Sequence, residues 1–257
     1  MLPESVGFSR EGDVGVLELR RVAKRNALDD VTVLGLERFV SAPPEGVRAL
    51  VLCAAGEHFS AGLDLTDVQA RDLPASIAHS RSWHRAFDAL QFGTLPVVAA
   101  LQGATIGGGL ELAAACHVRV AERSAYYALP EGQRGIFLGG GGSVRLPRLI
   151  GTARVMDMML TGRVYDAEEG HALGISQYLV DAGAGRAKAI ELAHRIASNA
   201  SFSNFAILQA LPRIADASPA IGYFAEALVA GAATNDEEAK QRVQAFLDKR
   251  AAKVTKT

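Results

Sequence analysis

Cysteine is scarce in this chain, which contains only Cys53 and Cys116 among its 257 residues. Because no Cys-X-X-Cys pair occurs, we expect neither a disulfide framework nor a metal site, and we expect a reducing compartment. An excess of positive charge is also missing, since 27 lysines and arginines stand against 28 acidic residues. The net charge of -1 gives no reason to expect a nucleic-acid partner.

Targeting and membrane signals are missing as well. Residues 1–5 lack a basic region followed by an apolar core, so we predict no secretory signal and a cytoplasmic location. Residues 89–110 carry no formal charge and are numerous enough to span a bilayer. However, Pro96, Gln102 and five glycines interrupt this segment. A buried strand followed by a tight turn explains it better than a membrane helix, and we expect no membrane partner.

Two common catalytic signatures do not occur in the sequence. There is no Gly-X-Ser-X-Gly motif, and Ser60 and Ser143 lack the setting of a serine nucleophile. The glycines of residues 103–109 miss the Gly-X-Gly-X-X-Gly spacing of a dinucleotide site. The sequence therefore favours neither a serine hydrolase nor a nicotinamide-dependent enzyme.

Glycine, in contrast, is abundant and is concentrated in a few turns. In residues 102–112 an apolar run ends in three consecutive glycines, Gly107 to Gly109, and Glu111 follows. Glycines allow a ligand to approach the main chain closely. The alanine-rich tail is typical of a helix whose first N–H groups are unpaired, and these would stabilise a developing negative charge on a substrate oxygen. Glu111 would lie beside the same point.

Three further loops have related features. Residues 56–65 follow a buried strand and carry two glycines, so this loop and the first one could supply two converging N–H donors. In residues 129–132 a proline precedes Glu131 and prevents regular strand pairing. Residues 138–146 contain four consecutive glycines that lead into a predicted helix.

Hydrophobic patterns predict alternating strands and helices up to about residue 181. Strands are predicted at 14–19, 48–53, 97–101, 118–120 and 126–128, with helices from 29 or 30 to 40, from 75 to 92 and after residue 109. This alternation predicts right-handed crossovers and loops that gather at one end of the strands. The remaining segments predict only helices, at 184–199, 202–215, 219–230 and 235–249. We therefore predict an α/β core over residues 1–181 and a helical region over residues 182–257.

In this order, the motifs resemble those of the crotonase superfamily, the enoyl-CoA hydratases and isomerases. The resemblance extends from about Val14 to the last helix. It rests on Arg25-Asn26-Ala27-Leu28, residues 59–65, Gly103 to Glu111, Pro130-Glu131, Gly151 to Arg154 and Leu160 to Gly162. It implies a crotonase-like spiral of ββα units with a helical C-terminal region that mediates oligomerisation. It also implies an acyl-CoA thioester substrate, no separate cofactor, and a homotrimer or a hexamer formed by two trimers.

The resemblance also implies roles for individual residues. The main-chain N–H groups of Leu63 and Gly108 would form an oxyanion hole for the thioester oxygen, while Glu111 would act on water and Glu131 on the α-proton. The loop 61–65 would contact the adenine of coenzyme A, and Lys24 or Arg25, which precede this loop in the sequence, would bind a phosphate group. The residues expected to bind substrate or coenzyme A are Lys24, Arg25, Ala27, Ala61, Asp64, Leu65, Gly107, Pro130, Leu138 and Gly139.

One stretch departs from the commonest hydratase pattern and leaves the reaction open. After Glu131 the chain has Gly132-Gln133-Arg134, where many hydratases have aliphatic residues. The resemblance implies an enoyl-CoA hydratase, with an isomerase or another crotonase-type lyase or hydrolase as alternatives, because the fold does not discriminate among them. A non-catalytic acyl-CoA-binding protein is the alternative from another class, and the two glutamates disfavour it.

Overall fold

A six-stranded, mostly parallel sheet positions the other elements, and the computed structural model describes residues 2–66, 71–248 and 250. The strands are β1 (Val6–Glu11), β2 (Val14–Leu19), β3 (Ala49–Ala54), β4 (Val97–Leu101), β5 (Ala104–Ile106), β6 (Val118–Glu122), β7 (Tyr126–Ala128), β8 (Val164–Asp166) and β9 (Tyr178–Val180). The main sheet has the order β1-β2-β3-β4-β6-β9, with β1 antiparallel to β2 and the other pairs parallel. A smaller sheet has the order β5-β7-β8.

Helices connect and cover these strands. They are α1 (Asp30–Ser41), α2 (Leu73–Gln91), α3 (Gly108–Ala115), α4 (Gly142–Ile150), α5 (Thr152–Thr161), α6 (Ala167–Leu173), α7 (Gly185–Ala197), α8 (Ser201–Asp216), α9 (Pro219–Asn235) and α10 (Glu237–Leu247). The predicted α/β fold with a helical C-terminal region is confirmed. The sequence offers Asp29 or Asp30 as the cap of α1, and in the structure it is Asp29 that accepts a hydrogen bond from the Thr32 N–H.

The structure contains four strands that the sequence prediction lacks, β1, β5, β8 and β9, and it differs from the prediction on one helix face. The sequence predicts no strand at β1, because residues 8–11 carry no alternating apolar pattern, and in the structure these residues are exposed at the sheet edge. The hydrophobic pattern of residues 75–92 predicts that Ile77, Trp83 and Phe87 lie on the apolar side of α2, but Ile77 is 53% exposed, whereas Trp83 and Phe87 are buried. Ile77 lies a turn and a half before Trp83, where α2 projects beyond the core.

Both faces of the main sheet are covered by apolar residues. The larger cluster includes side chains of α1, α2 and α3 together with Phe59 and Trp83. On the other face, α7 packs Ala189, Leu192 and Ala193 against residues of β2 to β4. The first helix after residue 181 thus contributes to the core of the sheet, and the division at that residue stays a prediction. No helix of the described residues is long and apolar enough to cross a membrane.

The parallel pairing of β3 and β4 brings two glycine-bearing loops together. Both strands end at the same edge of the sheet, and the loop after β3 then runs beside the segment after β4. The Phe59 N–H donates to the Gln102 carbonyl at 2.7 Å, and the Ile106 N–H donates to the Ser60 carbonyl at 3.0 Å. These bonds hold the loop containing Gly62 next to the start of α3, where the sequence predicts a site.

Candidate active site

Two main-chain N–H groups converge where the loops meet. Gly62 O accepts from the Leu28 N–H at 2.7 Å, and the Asp64 N–H donates to Leu28 O at 2.8 Å, so the Leu63 N–H between them points to the opposite side. Gly108 begins α3, where helix N–H groups lack intrahelical partners. Neither the Leu63 nor the Gly108 N–H donates to another described residue.

Glycine at positions 62 and 108 allows the two loops to lie close together. Gly62 has φ +93°, and a methyl group on it would lie 2.7 Å from the Ile106 carbonyl oxygen. A methyl group on Gly108 would lie 3.3 Å from the Leu63 nitrogen, which shows how near the two N–H groups are. Gly107 has φ 50° and ψ -122°, a conformation that favours glycine, and it turns the chain so that α3 starts at the site.

The carboxylate of Glu111 is buried and held by two amides. Its side chain is on the first turn of α3 and the residue is 3% exposed. Glu111 Oε1 accepts hydrogen bonds from the N–H of Gly140 at 2.9 Å and of Gly142 at 2.7 Å. Burial raises the pKa of Glu111, and these backbone bonds and the charge of Arg145 oppose that rise. The run of four glycines therefore supports Glu111 directly.

Glu131 is the second buried carboxyl of the site. It is 6% exposed, and its Oε1 lies 2.7 Å from the position that a methyl group on Gly107 would occupy. Its Oε2 is buried without a hydrogen-bond partner among the described residues. Burial, which removes water from the charged form, raises the pKa of Glu131 to about 7, and the nearby charge of Glu111 adds to the rise while Arg134 opposes it. Glu131 thus holds a proton more readily than an ordinary glutamate.

A cavity of about 290 Å³ contains these groups and most of the predicted residues. Both glutamates and both N–H donors line it. The other predicted residues on its wall are Ala61, Leu65, Gly107, Leu138 and Gly139. Arg134, from the atypical stretch after Glu131, also lines the cavity and is exposed at its rim.

Five residues predicted to bind substrate or coenzyme A do not line this cavity: Lys24, Arg25, Ala27, Asp64 and Pro130. Lys24 and Arg25 are exposed beside the loop 59–65. The Arg25 carbonyl accepts from the Ala61 N–H at 2.9 Å. Asp64 accepts from Arg21 at 2.9 Å and from the Thr66 hydroxyl at 2.8 Å, and hydrogen bonds from these two residues lower its pKa to about 2. Asp64 therefore ties the loop to the preceding turn.

The sequence prediction missed one wall of the cavity, which a face of α2 supplies. The cavity is lined there by Ser76, His79, Ser80 and Trp83, and Arg71 lies just before the helix. Asp30 holds this wall: its Oδ1 lies 2.8 Å from His79 Nε2 and accepts from Trp83 Nε1 at 2.8 Å. The spacing of residues 76, 79, 80 and 83 marks one helix face, but nothing in the sequence shows that this face meets the glycine loops.

We expect Glu131→Gln to stabilise the protein more at pH 8 than at pH 4.5. The pKa of Glu131 is raised to about 7 in the folded state from an ordinary value of 4.5, so the folded state binds more protons between these values. Stability is therefore lost as pH rises towards 7, and the neutral amide avoids that loss. The advantage of the variant in unfolding free energy should grow by about 3 kcal/mol between pH 4.5 and pH 8. Urea unfolding at both pH values measures it, and an equal advantage at both would contradict the expectation.

Comparison with known proteins shows the family of the chain. A family model described as enoyl-CoA hydratase/isomerase matches residues 9–256. The "Probable enoyl-CoA hydratase" of Bacillus subtilis (strain 168) is 34% identical over 213 residues, which cover 80% of each chain. A crystal structure from Rhodopseudomonas palustris CGA009, whose protein has the provisional name enoyl-CoA hydratase, superposes with a TM-score of 0.93 at 55% identity and covers 97% of each chain.

Longer relatives match part of this chain. The fatty acid oxidation complex subunit alpha of Shewanella loihica is 41% identical over 158 residues, which are 58% of this chain and 22% of that protein. The match of the family model spans nearly the whole chain, and the names of the two relatives above belong to the same family. The chain therefore belongs to the enoyl-CoA hydratase/isomerase family of the crotonase superfamily.

Proposed function

We propose that this protein adds water across the double bond of 2-enoyl-CoA thioesters. The observation that carries the proposal is that Glu111 and Glu131, both buried, line one cavity with two N–H groups that have no partner among the described residues. Hydration of a conjugated thioester needs a base for water, a proton source for the α-carbon and a place for the enolate oxygen. The cavity offers groups suited to each task.

The N–H groups of Leu63 and Gly108 would donate to the thioester oxygen. As the oxygen of water bonds to the β-carbon, the electrons of the double bond move through the α-carbon to the thioester carbonyl oxygen, which gives an enolate. Two fixed N–H donors stabilise the negative oxygen of the enolate more than the carbonyl oxygen of the uncharged thioester. This difference lowers the barrier to the reaction. The water proton passes to a base, and protonation of the α-carbon restores the carbonyl and gives a 3-hydroxyacyl thioester.

The environments of the two carboxyls suit different roles. Glu111 Oε1 accepts two amide N–H groups, which oppose the rise in the Glu111 pKa that burial causes and leave Oε2 to accept a proton from water. Glu131, whose pKa is raised to about 7, holds a proton that it can deliver to the α-carbon. Transfer of a proton between the two acids through solvent then restores the starting state.

Two substrates distinguish hydration from isomerisation. The purified protein is given a 2-enoyl-CoA and, separately, a 3-enoyl-CoA, and the absorbance of the conjugated thioester is followed. We expect the absorbance to fall with the first substrate. A rise with the second alone would replace hydration by isomerisation, and binding of both without turnover would favour an acyl-CoA-binding protein.

The rate of hydration should fall as pH rises through about 7. Glu131 must be protonated to supply the α-proton, and its pKa is raised to about 7 by burial. The pH profile of kcat/KM from pH 5.5 to 9 measures this alkaline limb. In Glu131→Gln the residual rate should lose the limb and be at least about a hundredfold lower. Wild-type turnover by that variant would remove Glu131 from the mechanism.

We also propose that the chain forms a homotrimer, or a hexamer of two trimers, through its C-terminal helices. On α9 only Gly222 is buried, and the exposed side chains include Ile221, Tyr223, Phe224 and Leu228. Such an apolar surface on a single chain favours a protein partner. Light scattering after size exclusion should give three or six times the chain mass of 27.1 kDa. A monomer at micromolar concentration would contradict the proposal.

The coenzyme A portion is proposed to run along the loop 59–65, part of which lines the cavity. The exposed cations Lys24 and Arg25 lie beside this loop and are suited to phosphate. The thioester end would then enter past Ala61 to reach the two N–H donors.

A further inference from the structure

A buried arginine on α4 is connected by hydrogen bonds to the proposed base. Arg145 is only 8% exposed, and its guanidinium donates to three oxygens. They are Gly140 O at 3.0 Å, Asp88 Oδ1 at 2.6 Å and Gln91 Oε1 at 2.6 Å. Gly140 in turn donates its N–H to Glu111 Oε1 at 2.9 Å. The guanidinium therefore joins α2 to the loop that holds the Glu111 carboxylate.

The loop is shaped to accept this guanidinium. Gly141 has φ +93°, and a methyl group on it would collide with Arg145 Nη1. A methyl group on Gly142 would lie 2.5 Å from Glu111 Cγ. The glycines thus leave room for the arginine on one side of the loop and for the glutamate on the other. Glycine restricts the backbone least, so the loop 139–142 depends for its conformation on its hydrogen bonds to Arg145 and Glu111.

We propose that Arg145 is a positioning residue for the reaction, because it fixes the Gly140 peptides and through them the orientation of the Glu111 carboxylate. The inference rests on the proposed role of Glu111. A planar guanidinium can bond three acceptors in fixed directions, which a lysine ammonium does less well. The neighbouring cation on α4 differs: Arg148 is exposed and pairs with Asp216 at 3.1 Å. Arg148 therefore provides a matched control.

Charge also links Arg145 to Glu111. The charged groups that face Glu111 are Arg145 and Glu131, and the charge of Arg145 lowers the pKa of Glu111 against the effect of burial. The titratable groups that face Arg145 are Asp88, Glu111 and Cys116, and His84 lies beside Gly141. Glu111 must be ionised to accept a proton, so removal of this cation should move the acidic limb of the rate profile to higher pH.

The experiment compares Arg145→Met, Arg145→Lys and the control Arg148→Met with the wild-type enzyme on a 2-enoyl-CoA. We expect Arg145→Met to lower kcat about tenfold or more, with KM within about threefold, because a misplaced base slows chemistry more than binding. Its acidic limb should lie at higher pH. Arg145→Lys should return the limb towards the wild-type position while kcat stays low. Arg148→Met should leave kcat, KM and the limb unchanged.

A purely structural arginine would give a different result. Arg145→Met would then lower thermal stability, while kcat per folded molecule and the acidic limb stayed at wild-type values, and the proposal would be overturned. If Arg145→Met does not fold, Asp88→Ala replaces it in the experiment. The Asp88 side chain is 56% exposed, so its removal should disturb folding less than removal of the buried arginine. Asp88→Ala should lower kcat about threefold at unchanged KM, and wild-type kcat would overturn the proposal. Failure of the wild-type enzyme to hydrate the substrate would instead overturn hydration, and this role with it.

Discussion

Glu111→Gln is expected to lower kcat for hydration at least about a hundredfold, which is the usual contribution of a general base. Glutamine has the same shape, and its amide oxygen can accept the N–H groups of Gly140 and Gly142 that now bind Glu111 Oε1. The loop and the cavity should therefore keep their geometry. Only the ability to take a proton from water is lost. Steady-state kinetics with a 2-enoyl-CoA measure the effect.

A matched substitution separates this loss from a general effect of removing a carboxylate. Glu45 is an exposed glutamate whose backbone carbonyl accepts a hydrogen bond from Arg10. Glu45→Gln should keep the wild-type kcat. Thermal unfolding should show that Glu111→Gln is at least as stable as the wild type, because a buried carboxyl has been replaced by a neutral group. A kcat within about tenfold of wild type would remove Glu111 from the role of base.

The sequence was sufficient to place both glycine loops and Glu111, because local requirements act there. Three glycines before an alanine-rich helix predict a turn with free N–H groups, and the structure places Gly108 at the first residue of α3. The loop 59–65 follows β3, and parallel pairing with β4 brings it to the same edge of the sheet. Their meeting follows from topology, which the alternation of strands and helices predicts.

Other parts of the site depend on contacts between distant segments. Asp30 lies at the start of α1, and its bonds to Trp83 and His79 on α2 cannot be read from either segment alone. The guanidinium of Arg145 likewise joins α4 to α2 and to the loop that holds the Glu111 carboxylate. In the sequence Arg145 is one charged residue on an amphipathic helix, where solvent exposure is the usual outcome. Only its burial in the fold shows otherwise.

The second large effect is expected from Gly108→Pro, which deletes one N–H donor of the proposed oxyanion hole. Proline has no N–H and is tolerated at the first residue of a helix, the place that Gly108 occupies in α3. No bond within the fold is lost, since the Gly108 N–H has no partner among the described residues. Hydration should fall about a hundredfold to a thousandfold in kcat.

The matched control for this variant is Gly108→Ala, which keeps the N–H. A methyl group there lies 3.2 Å from Trp83 Cζ3 and 3.3 Å from the Leu63 nitrogen, so it adds bulk beside the second donor while the Gly108 N–H remains. The alanine variant measures the effect of added bulk, and the further loss in the proline variant measures the missing donor together with the ring that replaces it. Circular dichroism verifies that both variants fold. If the proline variant turned over within about threefold of the alanine variant, the Gly108 N–H would contribute little to stabilising the enolate, and stabilisation would have to come from Leu63 alone.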